Sequence, residues 1–511
     1  MNAQRLQLIV NGLVLTPGAP AAAALDILVQ DGRIRELLPR GTPAPADAEL
    51  IDAHDRLIVP GLVNAHTHAH GGLGKGAVGD RLPLEVFLTG SAALNGSRTR
   101  DDKYLSAQLS AVEMVRKGCT AAYDLFVEFP LPSVEGMNAV ASAYQDVGMR
   151  AVIAPMIADR TLYQAYPGLI ESLPKDLGDS ARRAATAPYA ETLRACREIF
   201  DDWSFDRDQI RPALGPTIPM HCSDEFLGGC RELADEFGLG IQTHLAESAT
   251  QAVMAKQRYG KSLTAHLADL GLLNARFSGA HAIWIDGDDM RRLADAGASV
   301  AHNPLSNLRL GSGVAAVREM LDCGLAVGIG TDAANTSDTQ NMFEASRLAA
   351  YLSRIRGPQY QDWVSAEESF TLATAGSARV LGFADQLGAI VPGAFADLVL
   401  LDLAHINYVP LRDALLQLVN GENGSAIDAV MVGGRFILRG GKLLTIDEEK
   451  LRRDAESARD RLDGANAEAR RIAHSLEHWV GEFCVAHGCR HQGPHRHLRT
   501  ERDLSSQKSS Q

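Results

Sequence analysis

The chain has 511 residues, 46% of them hydrophobic and 22% charged, with a mean hydropathy of -0.08 and a formal net charge of -13. That balance excludes a disordered chain and allows a sizeable core, and no run approaches the roughly eighteen uninterrupted apolar residues that span a bilayer. The acidic excess argues against a nucleic-acid partner, whose phosphates need clustered Lys and Arg, and leaves a small molecule as the expected partner.

In chain order, residues 1–57 (QLIVNGLVLTP, ALDILVQDGRIRELLP, AELIDAHDRLIV) read as short strands joined by Gly turns. Asn11 and Gly12 interrupt the apolar start, and the alternation runs on to Asp26 and Leu28, so a strand pair is expected there rather than a signal peptide. Residues 58–387 carry eight short apolar runs, near 58–68, 120–127, 150–159, 211–218, 240–247, 277–286, 299–304 and 325–333, with amphipathic stretches between them. Strand alternating with helix implies a parallel sheet. Polar, metal-liking residues fall at the C-terminal ends of several of these strands, and no Gly-rich phosphate fingerprint follows the first. The expected fold is therefore α/β, a closed (β/α)8 TIM-type barrel rather than an open doubly wound sheet.

Between the third and fourth runs, the connection from Thr161 to Trp203 exceeds one helix and a short joint. It is expected to form part of a lid, with Tyr163, Tyr166 and Leu169 suited either to a planar substrate or to packing. Residues 388–445 (GAIVPGAFADLVLLDL, DAVMVGGRFILRGGKLL) again read as strands, predicted to join 1–57 in one small β-sandwich built from both ends. Residues 446–486 have a helical pattern, and 487–511 form a polar tail expected to be disordered. The tail's His487, His491, His495 and His497, with Cys484 and Cys489, lack metal-site spacing and read as solvated. Seven cysteines without CxxC spacing suit a reducing cytoplasm.

His66 and His68 straddle Thr67 at the end of the first strand, and the period of two puts both side chains on one face. Alone, an HxH pair is as consistent with hydrogen-bonded strand-end histidines as with a ligand pair. The segments QTHLAE, GAHAIW, VAHNPLSN and GIGTDAAN add His244, His281, His302 and Asp332 at the ends of the fifth to eighth strands. Together these residues have the composition of a metal centre.

The motifs PGLVNAHTH, THLAES, AHNPLSNLRLGSG, GIGTDAANTSD and PGAFADLVLLD stand in the order found in the amidohydrolase superfamily. Over roughly residues 1–445 the sequence resembles its mononuclear aminohydrolase and chlorohydrolase group, which holds guanine, cytosine and adenosine-type deaminases and triazine hydrolases. The resemblance implies that His66, His68, His244 and Asp332 hold one divalent ion per subunit. Zinc is expected, although iron, manganese or cobalt could use the same ligands. It further implies Glu247 as proton shuttle, His281 as hydrogen-bond partner of the attacking oxygen, Asp332 as proton acceptor, and a homodimer or larger assembly.

Two segments depart from the group's pattern. LPLEVFL stands where LPLMEWL is common, putting Val86 and Phe87 in place of an acid and a tryptophan, and PTIPMHCS stands where PHAPYTCS is common, so Thr217 replaces a histidine and His221 appears four residues later. Phe87, Thr217, His221, His302 and Asn303 are the candidate substrate contacts. His221 could equally cap the following helix, His302 could orient another ligand, and Asn303 and Asn307 could fix the loop after strand seven. His70 reads as loop. The expected activity is hydrolytic deamination of a purine, pterin, pyrimidine or triazine-type ring with release of ammonia. Its rivals are hydrolysis of an amide, carbamate or aryl urea, dehalogenation at the same metal site, and a non-catalytic barrel.

Overall fold

The computed structural model describes residues 6–488. All eight predicted barrel strands are present: β1 (Leu62–Thr67), β2 (Cys119–Val127), β3 (Arg150–Ile157), β4 (Ile210–Pro216), β5 (Gly240–Leu245), β6 (Phe277–His281), β7 (Ser299–His302) and β8 (Ala326–Ile329). Each pairs in parallel with its sequence neighbours, in one eight-stranded sheet, with helices between consecutive strands. Small inward residues, Ala65, Ala121, Ala154, Ala213, Ala280 and Ala301, fill the interior with Val63, Tyr123, Leu125 and Val152, so the barrel is a packed core.

The seam between β8 and β1 closes just beyond the strand ends. Asp332 N–H donates to His66 O at 2.9 Å, Thr331 N–H to Asn64 Oδ1 at 3.0 Å, and the Asn64 amide to Thr331 Oγ1 at 2.7 Å. Gly330 permits this approach, because a Cβ there would lie 2.8 Å from His66 N and O. The closure thus sets the first histidine beside the last aspartate.

The terminal segments form two further sheets. One is four-stranded (Arg33–Pro39, Leu25–Gln30, Leu6–Val10, Glu49–Asp52); the other is six-stranded and draws on both ends of the chain (Lys442–Leu443, Arg435–Arg439, Ile427–Val432, Leu398–Asp402, Arg56–Pro60, Leu13–Val14). Ile9, Ile27, Val29, Ile51, Ile58, Leu398, Leu400 and Met431 share one core between them. Only Gly61 separates the strand Arg56–Pro60 from β1. The buried Arg150–Asp397 pair, 2.8 Å apart, lies with its guanidinium over Phe395 and ties β3 to the segment before Leu398.

At the C-terminus the expected single helix is two, Glu448–Ala465 and Ala467–Gly488. Asn466 breaks the run by turning its side-chain amide to Gly96 O at 3.1 Å as well as to Leu462 O. His487 belongs to the second helix, whereas Cys489, His491, His495, His497 and the remaining tail lie outside the described residues. Ala473, Leu476, Val480, Phe483 and Cys484 recur at helical spacing and are buried. Leu476 packs on Leu173 and Ala181 of the long connection, whose helices Leu162–Ala165, Leu169–Ser172 and Lys175–Arg183 precede the helix Tyr189–Asp201. The helix Ala467–Gly488 also lies along Leu84–Thr89, the segment that departs from the family pattern.

Candidate metal centre and active site

His66 and His68 leave β1 on one face, with ring centroids 4.6 Å apart. His244 near the end of β5 and His281 at the end of β6 bring their rings to within 5.0 and 5.4 Å of His66. Asp332 follows β8, with Oδ1 3.2 Å from His68 Nε2 and 3.6 Å from His66 Nε2. All five side chains are buried, and the structure gathers them into two overlapping groups of possible ligand atoms, His66–His68–Asp332 and His66–His244–His281.

The hydrogen bonds of the other ring nitrogens decide what the cluster offers. His66 Nδ1 lies 2.7 Å from Gln242 Oε1, and the Gln242 amide is held by Ala65 O and Ser278 Oγ, so His66 Nδ1 carries the proton. His68 Nδ1 donates to Leu125 O at 2.7 Å, His244 Nδ1 to Thr217 O at 2.5 Å, and His281 Nδ1 to Asn307 Oδ1 at 2.8 Å. In neutral imidazoles this leaves four Nε2 lone pairs turned inward. His66 Nε2 and His281 Nε2 have no partner, and His68 Nε2 faces His244 Nε2 at 3.0 Å. Lone pairs set so close repel unless a cation lies among them. The donor set and the buried, unpartnered nitrogens fit a divalent metal.

Burial, then the neighbouring His68, holds His66 well below the usual imidazole range, and burial with His68 and His281 takes His244 down to about 3. Burial alone would raise Asp332, but His68 and His66 hold it well below the usual carboxylate range. Glu247, three residues beyond His244, goes the other way: burial first, then the charges of Asp332 and Glu85, push it well above that range. Its Oε2 is 3.8 Å from His281 Nε2, which is 4.0 Å from Asp332 Oδ2. One carboxylate disposed to hold a proton and one disposed to lose it thus flank a common imidazole, an arrangement that separates acid from base.

Backbone strain concentrates here. Ala246, His281, Ala282 and Asp332 have φ of 45°, 69°, 47° and 62°, in the left-handed region that side chains seldom enter. Two of these residues, His281 and Asp332, themselves present a functional group, and Ala246 lies between His244 and Glu247, turns that no periodicity in the sequence encodes.

The other candidates separate. Thr217 serves through its carbonyl, which holds His244. His221 is buried with Nε2 unpartnered. It does not cap the next helix, since Ser223 Oγ accepts the Phe226 N–H at 3.1 Å in that role. His302 and Asn303 are buried with their side-chain polar atoms unpartnered, and Asn307, read as a loop residue, is the group that orients His281. Phe87 is half-buried on Leu84–Thr89 and Val86 is buried there. His70 is no loose loop residue: it is buried in the 3-10 helix Ala69–Gly74, and its Nδ1 accepts the Val127 N–H at 3.3 Å.

Two acids escaped the sequence reading. Glu85, one residue before the position where the family's acid stands, is buried and accepts a hydrogen bond from Ser248 Oγ. Asp124 on β2 accepts from Ala69 N–H at 2.9 Å and Tyr144 O–H at 3.2 Å, and burial, opposed by those two bonds, pushes it up to about 7 from 3.8. Its folded state therefore binds the proton more tightly than its unfolded state. Stability from this group is fully present below about pH 4 and is lost as pH rises through 7. For the metal-free protein, denaturant titrations should show a fall of up to about 4 kcal/mol across that window, which Asp124→Asn flattens. Identical slopes in both proteins would refute this assignment.

Residues 57–437 match the amidohydrolase family. Among curated relatives, the chain is 32% identical over 444 residues to a 5'-deoxyadenosine deaminase of Methanothermobacter thermautotrophicus, covering 86% of this chain and 95% of that protein. It is 33% identical over 430 residues to a 5-methylthioadenosine/S-adenosylhomocysteine deaminase of Moorella thermoacetica, covering 83% and 92%. Among solved structures, an adenosine deaminase from Xanthomonas campestris with bound zinc superposes with a TM-score of 0.77 at 27% identity, over 90% of this chain and 98% of that one. An atrazine chlorohydrolase from Arthrobacter aurescens TC1, complexed with zinc, gives 0.77 at 23% over 88% and 99%, a likeness of fold. The barrel, its histidine and aspartate cluster and these matches together establish that this chain belongs to the amidohydrolase family.

Proposed function

We propose that the chain catalyses hydrolytic deamination of an amino-substituted purine-type heterocycle, replacing the exocyclic amine by oxygen and releasing ammonia. Its cofactor in this reading is one zinc ion per subunit on His66, His68, His244 and Asp332. The carrying observation is the placement of buried Glu247 beside His281 and Asp332, at the lip of a cradle of inward-facing imidazole lone pairs. Relatives named as deaminases over nearly their whole length support it.

Bound in that cradle, the cation supplies Lewis acidity and lowers the pKa of water toward about 7. Asp332, kept ionised by the surrounding histidines, accepts a proton from the water that adds to the ring carbon. His281 Nε2, unprotonated because Nδ1 donates to Asn307, accepts a hydrogen bond from that water and fixes its direction. Glu247 delivers a proton to the adjacent ring nitrogen; Asp332 passes the proton taken from water to the amine, which leaves as ammonia as the C–N bond breaks, and the hydroxyl proton of the adduct returns to Glu247 as the carbonyl forms. The six described cysteines are free, which supports a reducing compartment, and no described helix is long and apolar enough to cross a membrane.

Mass spectrometry of products tests the reading. Incubating zinc-loaded protein with aminopurines in 18O-labelled water should yield one product carrying one labelled oxygen in place of the amine. Scission of anilides or aryl ureas into two fragments, with aminopurines untouched, would transfer the assignment to amide or urea hydrolysis.

A further inference from the structure

Beyond Glu247 lies a group of buried polar side chains that the reaction above does not use. Gln251 Oε1 accepts the Glu247 N–H at 2.9 Å, leaving the Gln251 amide nitrogen, fully buried, without a partner. Tyr166 is also buried, and its hydroxyl lies beside Gln251 within reach of the charges of Glu85 and Glu247, yet makes no well-formed hydrogen bond. The His221 ring stands edge-on to the Tyr166 ring, with centroids 6.0 Å apart, and its Nε2 is likewise unpartnered. These residues come from three separate segments, so one local irregularity does not explain them. Leaving three buried polar groups unsatisfied costs roughly 1–3 kcal/mol each, a burden that clusters where a ligand supplies the missing partners.

The nearby acid is already engaged. Ser248 Oγ accepts the Gln251 N–H at 3.1 Å and commits its own proton to Glu85, near the Cys484 thiol of the C-terminal helix. Val86, where the family's acid stands, packs toward Gly481 of that helix. The helix thus lies over Leu84–Thr89, and the Glu85 carboxylate is held by Ser248 within the protein. What remains is a donor set: the amide N–H groups of Gln251, the Tyr166 hydroxyl, and His221 Nε2, which can donate or accept.

We propose that Gln251, Tyr166 and His221 form a recognition pocket for the acceptor-bearing edge of a free heterocyclic base, a ring carbonyl with its neighbouring ring nitrogen. The substrate class is then an amino-oxo heterocycle of the oxopurine or pterin type and not a ribonucleoside. This rests on the deaminase reading above and separates the chain in specificity from the nucleoside deaminases it matches.

The test uses zinc-loaded full-length protein and measures ammonia release from guanine and 2-amino-4-oxopteridine against adenosine and 5'-deoxyadenosine. An amino-oxo base should exceed both nucleosides in kcat/KM by at least about a hundredfold, because a site built around hydrogen bonds rejects ligands that leave its groups unpaired. Tyr166→Phe should raise KM for that base about tenfold with little change in kcat. It should also hold or raise the thermal midpoint, since it deletes an unsatisfied buried hydroxyl; a purely structural tyrosine would lower it. Faster turnover of the nucleosides would overturn the pocket while leaving the deaminase reading intact. Should no compound release ammonia, the deaminase reading fails and calorimetric binding decides the pocket: guanine binding weakened about tenfold by Tyr166→Phe sustains it, and equal or absent binding overturns it.

Discussion

Glu247→Gln lowers kcat by about three orders of magnitude while leaving zinc content and thermal midpoint near those of the unaltered protein. The substitution keeps the shape of the side chain and the backbone bond to Gln251 Oε1 but removes the transferable proton. Positioned general acid–base catalysis contributes about 10²–10⁴-fold, and Glu247 is the carboxyl group that burial, Asp332 and Glu85 together favour in its protonated form. The loss should fall on kcat with KM almost unchanged, because the group acts on the reacting atoms and not on ground-state binding. Stopped-time ammonia assays on both proteins decide the matter. A variant within tenfold of the original would remove Glu247 from the chemistry.

The second large effect concerns the cradle. His244→Ala deletes one of the inward lone pairs while Thr217 O keeps the backbone N–H of residue 244, so the variant should retain less than about a tenth of the zinc held by the original after dialysis, read by elemental mass spectrometry. Even changes to residues that merely orient a ligand typically cost 10–100-fold in affinity, and loss of the ligand itself costs more. The same variant should lose the rise in thermal midpoint that zinc confers, a stabilisation of about 4 kcal/mol when free metal stands a thousandfold above Kd. Gln242→Ala, which leaves all ligands in place but unties His66 Nδ1, should fall between the two. Equal zinc content in all three proteins would show that the ion is held elsewhere.

Much of this centre was legible in the chain because its residues obey local rules. His66 and His68 share a strand face by the period of two, and His244, His281, His302 and Asp332 end apolar runs of strand length. The eight strands were legible for the same reason, their alternation with amphipathic stretches. What was hidden depends on contacts distant in sequence. That Leu125 O and Thr217 O orient His68 and His244 could not be read, since a backbone carbonyl has no residue signature. Asn307 looked like a turn former because Asn commonly is one. Glu85 stood one place from the family's acid, and its partner Ser248 lies 163 residues further along the chain. The break at Asn466 was masked by a helical pattern on both sides, since the break comes from the side chain's reach to Gly96 O.

The most direct test of the central claim is ammonia release by metal-stripped protein titrated with zinc, with an aminopurine panel in excess. The account predicts no release without metal, a linear rise to a break at one zinc per chain, and release equal to the amine lost from the ring. Ammonia-free turnover, or deamination that persists unchanged in the metal-stripped protein, would contradict it.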